Sequence, residues 1–133
     1  MPDASREFHE GGSHRRVLLV EDNATLRALL SLALESNGYV PLSAETCEAA
    51  LELAAVDPPD AWIVDHTMPG MTGSELVRRL RSSSDARLRD APVLGVSGRD
   101  ENAFELRRAG AGKTLQKPID ERRLLAWLAG GGR

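Results

Sequence analysis

The sequence lacks the features that would assign it to several large classes. It has one cysteine, Cys47, which rules out an intrachain disulfide and fits a reducing compartment, so a free, buried helical thiol is expected there. No apolar run approaches the roughly 18 residues of a membrane span, and the polar N-terminus lacks the apolar stretch of a signal peptide. There is no basic stripe either. The 17 lysines and arginines are mixed with 20 acidic residues for a net charge of −3, so nucleic acid is not an expected direct ligand. A soluble, cytoplasmic protein is the resulting expectation. At 133 residues the chain suits a single domain that removes about two thirds of its unfolded surface from water.

What is present is a strict alternation. Residues 1–15 are polar and aperiodic, a flexible lead-in in which His9 and His14 are better read as solvated than as metal ligands. From Arg16 the pattern changes. VLLV (17–20) reads as a strand, followed by Leu26, Leu29, Leu30, Ala33 and Leu34 at helical spacing until Asn37-Gly38 stops the helix. YVPLSA (39–44) is a weaker strand, and Thr46 to Val56 a helix ending before Pro58-Pro59. AWIVD (61–65) is a fully apolar strand up to its aspartate. Thr72 with Glu75 forms a capping box for a helix that dissolves in SSSD (82–85). APVLGVSG (91–98) supplies a fourth strand, Asp100 caps a helix running to Ala109-Gly110, GKTLQ (112–116) is a fifth strand, and Asp120 opens a last helix before a GGGR tail (130–133). Five strand–helix units imply an α/β fold with a doubly wound parallel sheet, because each parallel connection needs a crossover. The apolar runs fit strands buried on both faces. In such sheets ligands bind beyond the C-terminal strand ends.

At those ends stand Glu21-Asp22, Asp65, Ser97 and Lys117-Pro118. Each has an unremarkable alternative: Glu21-Asp22 can favour a helix N-terminus, Ser97 can cap a turn, and Lys117 can be a solvated lysine. Their coincidence on one sheet edge favours a joint role. Crowded carboxylates raise one another's pKa unless a cation neutralises them, and hard oxygen donors at an open site suit Mg²⁺, with Mn²⁺ as a substitute. Such a cation would clamp phosphate oxygens while the amine and the hydroxyl take the remaining charge. Asp65 is then a nucleophile that becomes an aspartyl phosphate.

The segments VLLVEDN, IVDHTMPGMTG, VLGVSG and LQKP, in this order, resemble the receiver domains of two-component response regulators over residues 16–129. The resemblance implies a flavodoxin-like five-stranded sheet of order 2-1-3-4-5 with five helices. It implies a phosphorylation-dependent switch in which a histidine kinase, a histidine phosphotransfer protein or a small phosphodonor modifies Asp65. Glu21 and Asp22 match the metal-binding acidic pair, the Thr67 carbonyl the backbone metal ligand, Ser97 the switch hydroxyl and Lys117 the phosphate-pairing lysine. A cis peptide before Pro118 is also implied, since only X-Pro makes cis inexpensive, and it would aim the lysine inward. Met68-Pro69-Gly70 builds the turn beside Asp65, with Gly70 and Gly73 relaxing the backbone.

Three departures accompany the match. Thr114 stands where such domains usually carry a tyrosine or phenylalanine that swings inward, the stretch from Ser97 to Gly110 is slightly short, and no output domain follows within the sequence. Thr67 and Arg99, which the resemblance places where such receivers vary the lifetime of the phosphoryl group, offer no carboxylate or amide to orient a water, so slow self-dephosphorylation is expected and no other enzymatic activity. Two alternatives compete. A phosphatase of the haloacid dehalogenase type would need a second aspartate where Thr67 stands, and a degenerate receiver that only binds partners would not need the full set of site residues.

Overall fold

A computed structural model of the chain describes residues 15–132; His9 and His14 lie outside them. Five strands, β1 (Arg16–Val20), β2 (Val40–Ala44), β3 (Ala61–Asp65), β4 (Val93–Ser97) and β5 (Lys113–Gln116), form one parallel sheet in the order β2-β1-β3-β4-β5. The helices are α1 (Ala24–Ser36), α2 (Cys47–Val56), α3 (Gly73–Arg81), α4 (Ala86–Arg89), α5 (Asp100–Ala109) and α6 (Glu121–Ala129).

The alternation of side chains along each strand divides the core into two layers. On one face Leu18, Val20, Trp62, Val64 and Val93 pack against Cys47 and Ala50 of α2, Leu76 and Leu80 of α3, and Leu106 of α5. On the other, Val17, Leu19, Ile63, Leu94 and Val96 meet Leu30 and Leu34 of α1 and Leu124, Trp127 and Leu128 of α6. The central strand β3 is buried at every residue, its terminal aspartate included. Apolar side chains on both faces of β3 therefore fix the position of Asp65.

Four helix starts carry side-chain caps, of which Thr72 and Asp120 match their sequence signals. Asn23, Thr46 and Thr72 accept from the backbone N–H three residues on, at 3.0, 3.0 and 3.2 Å, and Asp120 accepts from Arg122 N–H at 3.0 Å. The start of α5 is a correction. Asp100 does not cap it but is its first residue; the cap position is Arg99, in extended conformation and making no side-chain bond to the helix. Asp100 and Glu101 instead favour the positive end of the helix from within its first turn. A second correction concerns the segment after SSSD. Asp85 caps the short helix α4 through Arg87 N–H at 2.9 Å, so the described residues hold six helices rather than five; a single turn is too brief to show helical periodicity in a sequence.

Both ends of the domain are tied in. Arg15 belongs to the folded unit: its carbonyl accepts from Val40 N–H at 2.9 Å and its guanidinium donates to the Leu128 carbonyl at 3.2 Å. Gly132 N–H returns to the Trp127 carbonyl at 2.9 Å. At the base of the sheet one guanidinium joins three segments. Arg81, the last residue of α3, donates to the Gly110 carbonyl from Nε and Nη2 at 3.1 and 2.9 Å, and from Nη1 to the carbonyls of Arg89 and Ala91 at 2.8 and 2.7 Å.

Candidate functional site

The C-terminal ends of β1 and β3 bring three carboxylates together. Glu21 continues β1, its N–H donating to the Ala44 carbonyl at 3.1 Å, and its side chain is buried and accepts from Asn23 N–H at 3.0 Å. Asp22 is exposed beside it. Asp65 is buried at the tip of β3. One carboxylate oxygen from each of the three lies within 4.8 Å of the others. Lys117 enters from the end of β5, its backbone N–H held by the Ser97 carbonyl at 2.8 Å, and the bond to Pro118 is cis. Its Nζ lies 3.2 Å from Asp65 Oδ2 and 3.3 Å from Glu21 Oε1.

Three carboxylates against one ammonium leave a local charge of −3 + 1 = −2, and the titration behaviour follows from that deficit. Burial pushes the Asp65 carboxyl up; Lys117 and the Thr67 N–H pull it down and Asp22 pushes it up, with a net rise. Burial likewise raises Glu21, against the Asn23 N–H and Lys117, with Asp65 adding to the rise. For Lys117 burial acts downward, but the charges of Asp65 and Glu21 outweigh it and its pKa rises. A divalent cation supplies the charge that is short. The donors are all oxygen, and exposed Asp22 leaves one side open to water, as suits a hard cation that keeps part of its hydration shell. The residues therefore fit a metal of the Mg²⁺ class.

Gly73 sets the loop that follows. Its N–H donates to the His66 carbonyl at 3.0 Å, and a Cβ there would run into the Asp65 carbonyl oxygen. Only glycine lets α3 start this close to the strand end. Gly70 has φ +78, the left-handed conformation its turn requires. Thr67, ahead of both glycines, is exposed, and Met68 is buried.

Ser97 stands at the end of β4, buried, and its hydroxyl donates to the Arg99 carbonyl at 3.0 Å. The structure thus gathers Glu21, Asp22, Asp65 and Lys117 directly, whereas the Ser97 hydroxyl is engaged with the Arg99 carbonyl. Arg99 is exposed. Thr114 is half-buried, and its hydroxyl has a partner that sequence reasoning missed: Arg107 Nη1 donates to it at 2.9 Å. Also missed was Arg27, whose Nη1 donates to the Glu21 carbonyl at 2.8 Å, and Glu48, whose carboxylate accepts from Met71 N–H at 3.4 Å. An arginine one turn into a helix after an acidic pair is a signal for the first; nothing in the sequence points to the second.

The sequence model of the response regulator receiver domain matches residues 17–129. The chain belongs to the response regulator receiver family. Among curated relatives, it is 38% identical over 113 residues to the response regulator MprA of Mycolicibacterium vanbaalenii, covering 84% of this chain and 47% of the relative. It is 32% identical over 114 residues to the phosphate regulon transcriptional regulatory protein PhoB of Escherichia coli K12, covering 84% and 49%. This chain spans about half the length of these curated relatives. The chemotaxis response regulator CheY4 of Vibrio cholerae superposes with a TM-score of 0.80 at 31% identity, covering 89% of this chain and 98% of that one. The receiver is accordingly a phosphorylation-dependent signalling switch of the CheY-like fold, and the phosphatase and degenerate-receiver alternatives are not favoured. Among the described residues no helix is long and apolar enough to cross a membrane.

Proposed function

We propose that Asp65 is the phosphoacceptor of this receiver and that Glu21, Asp22, Asp65 and the Thr67 carbonyl hold Mg²⁺ beside it. The observation that carries this is the convergence of three carboxylates and the Lys117 ammonium on the tip of the central strand. A bound Mg²⁺ would neutralise charge on the transferring phosphoryl oxygens. Ionised Asp65 attacks phosphorus with one carboxylate oxygen; an O–P bond forms and the donor's P–N or P–O bond breaks, the electron pair leaving with the imidazole or carboxylate of the donor. Lys117 shifts from carboxylate to phosphoryl oxygen, a charge-assisted contact in a partly buried site. Ser97 releases the Arg99 carbonyl and donates to the phosphoryl group, which moves the loop from Gly98 to Asp100.

A protein donor, a histidine kinase or a histidine phosphotransfer protein, has to bring its histidine to Asp65 across the rim of the site. An apolar groove of about 430 Å³, lined by Leu26, Leu29, Pro118 and Ile119, adjoins Lys117 on that rim, and Leu29 is 55% exposed. Such a surface suits the apolar face of a donor helix. Beyond its own phosphorylation and slow dephosphorylation the receiver is assigned no catalysis.

The test is intact-protein mass spectrometry after incubation with acetyl phosphate and Mg²⁺. One phosphoryl mass is expected on the wild type and none on Asp65→Asn; label that persists on the variant, or forms undiminished in excess chelator, contradicts the assignment.

A further inference from the structure

The face between α5 and β5 carries a second charged site that phosphoryl transfer does not use. β5 is an edge strand of the sheet, and where Thr114 and Ala103 leave the gap between strand and helix unfilled there is a cavity of about 240 Å³. Arg99, Arg107 and Arg123 line it, with the Ser97 and Thr114 residues between them, and Asp100 is the one carboxylate among the lining residues. That local excess of cations occurs in a chain of net charge −3.

Little in the described protein offsets these cations. Arg99 meets Glu101 at 3.7 Å with both side chains 72% exposed, a pair of negligible strength in water. Among the described residues neither Arg107 nor Arg123 has a carboxylate within 4.0 Å. Arg107 is nevertheless held in place, because its Nη1 donates to Thr114 Oγ1 at 2.9 Å. A guanidinium anchored by a neutral hydroxyl keeps its charge and its remaining N–H donors for another partner.

We propose that this cavity binds a small oxyanion, phosphate best of all, and that it does so preferentially in the unphosphorylated state. Guanidinium forks match tetrahedral and planar oxyanions through paired charge-assisted hydrogen bonds. The volume is below the range of pockets that enclose drug-sized ligands, which selects a compact anion over a nucleotide. The state preference comes from Ser97, whose hydroxyl bond to the Arg99 carbonyl holds one wall of the cavity. This second part rests on the proposed role of Ser97: once that hydroxyl turns to the phosphoryl group on Asp65, the Arg99 wall is released. An anion that binds the resting arrangement better shifts the switch toward it, and phosphorylation weakens anion binding by the same factor.

Amide chemical shifts followed during titration with inorganic phosphate, and separately with acetate, at ionic strength held constant with sodium chloride, test the site. Saturable shifts are expected at Arg99, Arg107, Thr114, Gln116 and Arg123, tighter for phosphate than for acetate. Arg107→Gln and Arg123→Gln should each raise the dissociation constant about tenfold. Shifts that grow linearly without saturation, or that persist unchanged in the double variant, overturn the site. With beryllofluoride on Asp65 the dissociation constant for phosphate should rise about fivefold or more. An unchanged constant, while amides around Asp65 and Ser97 do respond to beryllofluoride, overturns the coupling. Absence of any response to beryllofluoride refutes instead the assignment of Asp65 and Ser97, and the anion site then stands or falls on the first titration.

Discussion

The Lys117 ammonium lies 3.2 Å from Oδ2 of Asp65, so the carboxylate proposed as acceptor is held by the group that would also meet the incoming phosphoryl oxygens. Lys117→Met should slow phosphorylation by acetyl phosphate roughly ten- to a hundredfold, as removal of one preorganised charge-stabilising donor does elsewhere. It should not abolish the reaction, since Asp65 remains. Single-turnover mass spectrometry measures the rate; a rate equal to wild type would remove Lys117 from the transfer step.

The charge deficit of the acidic cluster predicts its response to metal. Mg²⁺ should raise the thermal midpoint in a concentration-dependent way, because it binds the folded cluster and not the dispersed carboxylates of the unfolded chain. Asp22→Asn should blunt that rise while leaving the metal-free protein no less stable, since it removes a like charge beside Asp65. Calorimetry with and without Mg²⁺ decides it, and a variant that responds to Mg²⁺ as fully as wild type excludes Asp22 as a ligand.

Phosphoryl lifetime depends on side chains that can hold a hydrolytic water. Thr67 and Arg99 supply neither carboxylate nor amide, and Arg99 is turned to solvent beside Glu101. Wild-type dephosphorylation should therefore be slow, and Arg99→Glu should speed it several-fold by offering a base to the water. A wild-type half-life of seconds would contradict this.

Gly73→Ala should be strongly destabilising. The new Cβ would overlap the Asp65 carbonyl oxygen, and the other close atoms, Asp65 C and His66 Cα, are also backbone, so no side chain can move aside. A loss of about 3 kcal/mol is expected by chemical denaturation. A near-neutral effect would mean that α3 can shift away from the strand end.

Cys47 is fully buried, and burial first, then the charges of Glu48, Asp65 and Glu75, push its thiol up from 9.0 to about 12. The folded chain therefore keeps a proton that the unfolded chain loses above pH 9.0. The corresponding stability is fully present below that pH and declines between 9.0 and about 12. In Cys47→Ala that part of the decline should be absent. Alkylation at pH 8 should report global unfolding; rapid labelling of the native protein would show the thiol to be accessible.

The strand ends were legible in the sequence because a buried parallel strand is a continuous apolar run that stops abruptly at the site. WIV into Asp65 and VLLV into Glu21 show this directly. The helix starts at Thr72 and Asp120 follow from local chemistry and lie at the observed positions. What escaped was short or distant. Helix α4 is a single turn, Asp100 lost the cap position to Arg99, and the bonds from Arg107 to Thr114 and from Arg27 to the Glu21 carbonyl depend on which arginine rotamer crosses from one element to the next. The resting bond of Ser97 to the Arg99 carbonyl was invisible for the same reason, since residue type shows that a hydroxyl can donate but not to whom.

The Arg81 clamp has a mechanical consequence. The Gly110 carbonyl at the far end of α5 takes two bonds from that guanidinium, whereas the near end, at Arg99, has no side-chain cap and hangs from the Ser97 loop. The helix is a lever with a fixed fulcrum at its C-terminus. A small displacement at Ser97 would tilt it instead of sliding it, and the largest excursion would fall on its first turn, at the rim of the arginine-lined cavity.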